Sequence, residues 1–207
     1  MKTRSRLVHG VGINDAEYSV KLYQECPRVN GKRRQKLVWI CPFYSRWKDM
    51  LKRAYSDKYK SSYPTYSECS VCEEWFTLSN FRSWMETQNW KGRVLDKDLL
   101  FPGNKVYCPE ACVFIDEPVN LFVVECDSVR GEWPIGVYFN TRANKFQAQC
   151  RNPFSNKTEN LGLYSSPYPA HKVWIERKLA LAKQLAAEQD DPRVAEALIK
   201  RYENYGR

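Results

Sequence analysis

The sequence predicts an α+β protein of two small units: a strand, turn, strand and helix in mid-chain, then a three-stranded antiparallel sheet packed on a helix. Three observations carry this. Residues 95–115, "LDKDLLFPGNKVYCPEACVFI", set a Pro-Gly turn between two short runs, and proline fixes the first central dihedral of a turn while glycine accepts the positive one. From Glu132 onward Asn, Gly, Pro and Ser break the chain about every 8–12 residues, the rhythm of a small antiparallel sheet. From Pro169 to about residue 189 the apolar residues Ala170, Trp174, Leu181 and Leu185 share a helical stripe. A chain of 207 residues accommodates two such units, each with a modest core.

In order along the chain, residues 1–62 form a basic N-terminal region containing "GKRRQK" and then "CPFYSRWKDMLKRAYSDKYK". In the latter, Phe43, Trp47, Met50, Leu51 and Ala54 fall at helical spacing with lysines and arginines between them, which predicts a basic amphipathic helix. Pro64 marks a turn, and Trp75, Leu78, Phe81, Trp84 and Met85 then form the apolar face of a second helix. These aromatics read as core. "GRVLDKDLL" reads as a strand, "FPGN" as a turn, "KVYCPEACVFI" as the returning strand and "DEPVNLFVVE" as the start of a short helix, giving a ββα unit within residues 63–125. The sheet and its helix occupy 132–189, and a short amphipathic helix closes the chain over 190–207.

The 33 Lys+Arg against 24 Asp+Glu give a formal charge of +9 and a pI near 9.1, a balance that suits a polyanion such as nucleic acid or an acidic membrane surface and does not by itself choose between them. No apolar run reaches the length of a membrane span, and "MKTRSRLVHGVGIND" has no signal-peptide core. The expectation is a soluble intracellular protein. Of eight cysteines, Cys69 and Cys72 form a Cys-x-x-Cys, and Cys108 and Cys112 a Cys-x-x-x-Cys. Each pair has the spacing to supply two thiolates to a structural zinc ion, and the alternative is small buried residues.

In "KFQAQCR", Phe146, Ala148 and Cys150 alternate with Lys145, Gln147, Gln149 and Arg151. One face is apolar and is covered by the following helix. The other is long, polar and basic. Arginine and glutamine make bidentate contacts to guanine and adenine edges, and a narrow β-element enters the major groove. With Arg142 nearby, this face is the candidate contact for double-stranded DNA. Asp96 and Asp98 are the second candidate site, since a strand would point both carboxylates to one side. Two such charges repel unless a divalent metal, a lysine or solvent intervenes.

The order "GVGINDAEY", "CPFYSRWKDML", "YPTYSECSVCEEW", "SNFRSWM", "LDKDLL..GNKVYCPEACVFI", "GVYFN....KFQAQC....ENLG" resembles the phage-encoded HNH homing endonucleases that carry an AP2-like DNA-binding module. The resemblance runs from about residue 10 to residue 190. It implies a ββα-metal (HNH-like) nuclease core joined to an AP2-like sheet-plus-helix reader, in a free-standing enzyme of the bacterial cytoplasm that nicks or cuts double-stranded DNA as a monomer. In such folds the first strand supplies an acidic ligand and a base and the closing helix an Asn or His ligand, which carries over to Asp96, Lys97, Asp98 and Asn120.

The implied chemistry is hydrolysis of one phosphodiester bond with Mg²⁺ or Mn²⁺. Asp96 and Asn120 would be oxygen ligands, with Asp98 a further ligand or the base, and Lys97 and Lys105 would neutralise phosphate. The chain departs from the family in two places: no histidine occurs between His9 and His171, and Ala111 stands where related motifs place asparagine. Asp98 then replaces the imidazole base, or the metal alone activates water, or catalysis has been lost. The last case gives a DNA-binding repressor or competitor. A zinc-knuckle interaction protein built on the four cysteines is the third reading. His9 and His171 read as ordinary packing residues.

Overall fold

Asn30 and Gly31, both with positive φ (52° and 72°), make the two-residue turn of a hairpin that opens the computed structural model, which describes residues 7–124 and 131–205. Its strands are β1 (Lys21–Val29) and β2 (Lys32–Ile40). Helix α1 (Pro42–Tyr55) follows directly, starting on Pro42 as its first residue, and α2 (Asp57–Ser62) is capped by the Ser56 side chain. Then come β3 (Ser70–Val71), α3 (Leu78–Glu86), β4 (Val94–Asp96), β5 (Val106–Tyr107), β6 (Val113–Ile115) and α4 (Glu117–Val123). The C-terminal part holds β7 (Val137–Asn140), β8 (Lys145–Asn152), β9 (Lys157–Tyr164), α5 (Pro167–Ala187) and α6 (Pro192–Glu203). The protein is α+β with small sheets.

The chain divides into two units, the first made of residues up to 91 with 103–114, the second of 92–102 with 115 onward. The divisions expected at 62 and 189 do not coincide with these units. The one expected at 125 opens a stretch, 125–130, outside the described residues, as do residues 1–6 of the basic region. In the first unit, α1 packs on α3, so the basic region and the segment after it share one core. Trp47, Leu51, Ala54, Trp75, Leu78, Phe81 and Met85 are buried there, and the Trp47 indole donates to the Trp75 carbonyl at 2.7 Å. The segment "GVGIND" bonds to the same core: Ile13 N–H donates to Phe76 O at 2.7 Å and Leu78 N–H to Ile13 O at 3.0 Å.

The hairpin expected over 95–115 is corrected in part: β4 pairs with β6 at the end of the returning segment, and β5 does not join them. β5 pairs in parallel with β3, with Ser70 N–H donating to Lys105 O at 3.0 Å and Cys72 N–H to Tyr107 O at 2.9 Å. The reason lies at Asp96. Its Oδ1 accepts from Asp98 N–H at 3.0 Å and Leu99 N–H at 2.7 Å, which closes a turn directly after β4 and leads the chain away before β5.

In the second unit, β7, β8 and β9 form an antiparallel sheet in that order, packed on α5, and α6 packs on α5. Ala148, Cys150, Ala170, Trp174, Leu181, Leu185, Leu198 and Tyr202 are buried between them. The expected helical stripe is therefore the core face. The end of α4 is fixed by donors from α5 and α6: Lys178 Nζ and Tyr202 OH reach Phe122 O at 2.7 and 3.1 Å, and an Arg201 N–H reaches Val123 O at 3.1 Å. These satisfy carbonyls that a helix C-terminus leaves open, and the two cations also suit its dipole.

Candidate nucleic-acid interface

The three-stranded sheet sorts its side chains by register. Residues directly opposed across a ladder share a face, and the pairs Tyr138 with Gln147, Asn140 with Lys145, Gln149 with Asn160, and Arg151 with Thr158 all fall on the side away from α5. Ala148 and Cys150, alternate with these, are buried. The sequence-predicted set Lys145, Gln147, Gln149 and Arg151 is thus gathered on one surface, with Arg142 exposed in the turn between β7 and β8. Tyr138, Asn140, Thr158, Asn160 and Leu163 were missed. Their signal was available only through the register, since a residue on a neighbouring strand joins the face by pairing and not by sequence spacing.

Local hydrogen bonds orient this surface. Asn140 Oδ1 accepts from Arg142 and Ala143 N–H, both at 3.1 Å, while its amide donates to Gln147 Oε1 at 2.7 Å. Gln147 is therefore held by its oxygen, leaving its amide group as the donor end. An Arg151 guanidinium N–H donates to Asn156 in the β8–β9 turn. Lys145, Gln149 and Arg151 are exposed.

Charge is sorted as well. The three strands contain one carboxylate, Glu159, and it pairs across from buried Cys150 on the helix side. There Arg177 of α5 grips it twice, at 2.6 and 2.8 Å, and Asn152 adds a bond at 2.7 Å. These hydrogen bonds, Arg177 first, pull its pKa down to about 2. No carboxylate of the three strands is left on the outer face, which carries neutral and cationic groups.

The carboxylate pair has a different setting. Asp96 closes a turn with its own backbone, and Asp98 lies beyond the end of β4, paired with buried Lys97 at 2.9 Å. Burial raises the Asp96 pKa, the nearby Asp98 charge raises it further, and the two backbone N–H groups oppose both. Asn120 stands on α4, which packs near β4. Two carboxylates and an amide oxygen are the hard donors a magnesium-type ion takes. Yet among the described residues no group of three or more His, Cys, Asp or Glu side chains is placed to hold a metal ion. Lys105 belongs to the first unit, half-buried before β5.

The four candidate zinc ligands flank the β3–β5 ladder. Cys72 and Cys108 are close enough for their charges to interact, and burial raises both thiols. Cys69 and Cys112 are buried in the same unit. His171 binds the Ile135 carbonyl through Nδ1 at 2.9 Å and stacks on Trp174, a packing role. Burial and then Lys48 and Lys52 lower the pKa of His9. No helix among the described residues is long and apolar enough to cross a membrane. Comparison of the chain with protein-family models, with curated proteins and with solved structures gives no match.

Proposed function

We propose that this chain is a sequence-specific double-stranded DNA-binding protein that reads its site with the outer face of β7–β9. One observation carries the proposal: the only carboxylate of the sheet is turned inward and neutralised by Arg177, while Lys145, Gln147, Gln149 and Arg151 stand outward in register. Such a face offers donors and acceptors to base edges and cations to phosphates. In-vitro selection from a random duplex library, followed by binding measurements, tests it. Gln149→Ala is expected to relax preference at one position by about 1–3 kcal/mol, and Arg151→Ala to reduce the salt slope by about 0.9 if it meets a phosphate. Failure of the library to yield a preferred site sinks the proposal.

A second reading is a metal-dependent endonuclease, HNH-like and strand-nicking, that uses Asp96, Lys97, Asp98 and Asn120. The observation favouring it is the crowding of Asp96 by Asp98, which a divalent cation would relieve. Supercoiled plasmid carrying the selected site, incubated with Mg²⁺ or with EDTA, separates enzyme from binder. Asp96→Asn keeps an oxygen for the two turn N–H groups and removes the charge, so loss of nicking with retained binding assigns the carboxylate to chemistry. Binding without cleavage by the wild type leaves a repressor or competitor.

A further inference from the structure

The hairpin β1–β2 is a second candidate contact, and nothing in the sheet site requires it. Its strands have nine residues each, a length of about 30 Å at about 3.3 Å per residue. Residues 32–39 are exposed without a break, so β2 turns neither face to a core. Folding alone does not account for such an element, because an isolated two-stranded ribbon is marginal in water.

Its composition points to a ligand. Between residues 21 and 40 lie six cations, Lys21, Arg28, Lys32, Arg33, Arg34 and Lys36, and one carboxylate, Glu25. Six less one is five, so these twenty residues supply more than half of the chain's formal +9. No ion pair among the described residues involves the five cations toward the tip. Register also distributes them. Lys36 and Arg34 sit beside Gln24 and Cys26 on one face, and Arg33, alternate with Arg34, points to the other. Cations therefore stand on both faces, and the ribbon's one carboxylate, Glu25 opposite Gln35, shares the face of Arg33.

That distribution chooses among polyanions. A lipid surface calls for cations on one side, whereas a ribbon charged on both sides suits a groove with a phosphate rail on each flank. The major groove of B-form DNA, about 12 Å wide, admits a two-stranded ribbon, and that of an A-form RNA duplex is too narrow. Pro27 interrupts one edge and charges line the other, which discourages pairing with a second copy of the chain.

We propose that β1–β2 is a DNA-gripping arm that enters the major groove and contacts phosphates without reading sequence. It rests on the reading of this protein as a DNA binder. The test uses the full chain and about 30-bp duplexes of the selected and of scrambled sequence, with affinity measured across salt concentrations. Arg33→Ala/Arg34→Ala/Lys36→Ala is expected to reduce the slope of log K against log salt by about 2–3 and affinity by about tenfold or more, equally on both duplexes. Circular dichroism and melting establish that the variant is folded, and Arg33→Lys/Arg34→Lys is expected to keep the slope. An unchanged slope in the folded triple variant overturns the arm. So does tighter binding of the wild type to an RNA duplex, or loss by the triple variant of binding to phosphatidylserine vesicles with DNA binding intact. Altered preference in Gln149→Ala with an unchanged slope in the triple variant removes the arm and leaves the sheet. A wild type that binds no duplex removes both.

Discussion

The sheet β7–β9 and the ribbon β1–β2 are both antiparallel and basic, but only the sheet has a helix behind it. Burial of Ala148 and Cys150 against α5 locks the sheet's register, because a one-residue slip would turn Gln147, Gln149 and Arg151 into the core. The ribbon has no such lock. Its register rests on the Asn30-Gly31 turn and is interrupted between Leu22 and Tyr23 and again between Cys26 and Val29. A surface whose side chains are fixed in place suits discrimination between bases, and one whose cations are spread over two faces suits phosphate contacts that carry no sequence. The apolar residues at the ribbon's root, Leu22, Tyr23, Leu37, Val38 and Trp39, are 42–52 % exposed, so the ribbon leaves more apolar surface unburied than the sheet, where Tyr138, Phe139 and Leu163 are the exposed ones.

The largest effect expected from this contrast is at Gly136. Its φ is +79°, and a Cβ there would lie 2.0 Å from Trp174 Cδ1, on a rigid ring in the core beneath the sheet. Gly136→Ala is expected to cost about 3 kcal/mol or more, since neither the backbone nor the indole can yield cheaply. Thermal melting should show the loss, and sequence-specific binding should fall with it. If the variant melts as the wild type does, the sheet does not depend on this packing.

What the sequence disclosed follows the same division. The alternation in "KFQAQCR" was legible because one face is buried, and burial is what imposes period two on a strand. The ribbon went unread because exposure on both faces erases that period, although Asn-Gly at 30–31 was a hairpin signal in plain view. The β3–β5 ladder spans two residues per strand and joins segments more than thirty positions apart, which no local pattern reports. At Asp96 the spacing to Asp98 is legible in the sequence, and the structure adds bonds from its carboxylate to the backbone N–H groups two and three residues ahead. Glu159 with Arg177 depends on strand register and helix phase together, so its role emerges only in three dimensions.

An intermediate effect is expected from the ion pair that keeps the outer face free of negative charge. Glu159 has its pKa lowered from 4.5 to about 2, so its contribution to stability is present above about pH 4.5 and is lost as pH falls toward 2. The two side chains are 29–30 % exposed, and solvent screening holds the pair's worth to about 1 kcal/mol. Glu159→Gln should lower the melting temperature at pH 7 and flatten the decline between pH 4.5 and pH 2. Equal acid sensitivity in variant and wild type would place the titrating group elsewhere, Asp191 being another carboxylate whose pKa is lowered.

The smallest effect is expected at the ribbon's own glycine, and it tests whether the two surfaces are energetically independent. Gly31 has φ +72° with open space around a would-be Cβ, in contrast to Gly136. Gly31→Ala therefore meets no neighbour and costs only the left-handed backbone, about 1 kcal/mol. Because the ribbon buries little, that cost should appear as faster amide exchange within residues 21–40, while global melting stays unchanged. Binding to scrambled duplex should weaken slightly, and the preference of the sheet for its selected site should not move. A shift in global melting equal to the local loss would mean that the ribbon unfolds together with the core, and the contrast between a register locked by burial and one held by a turn would fail.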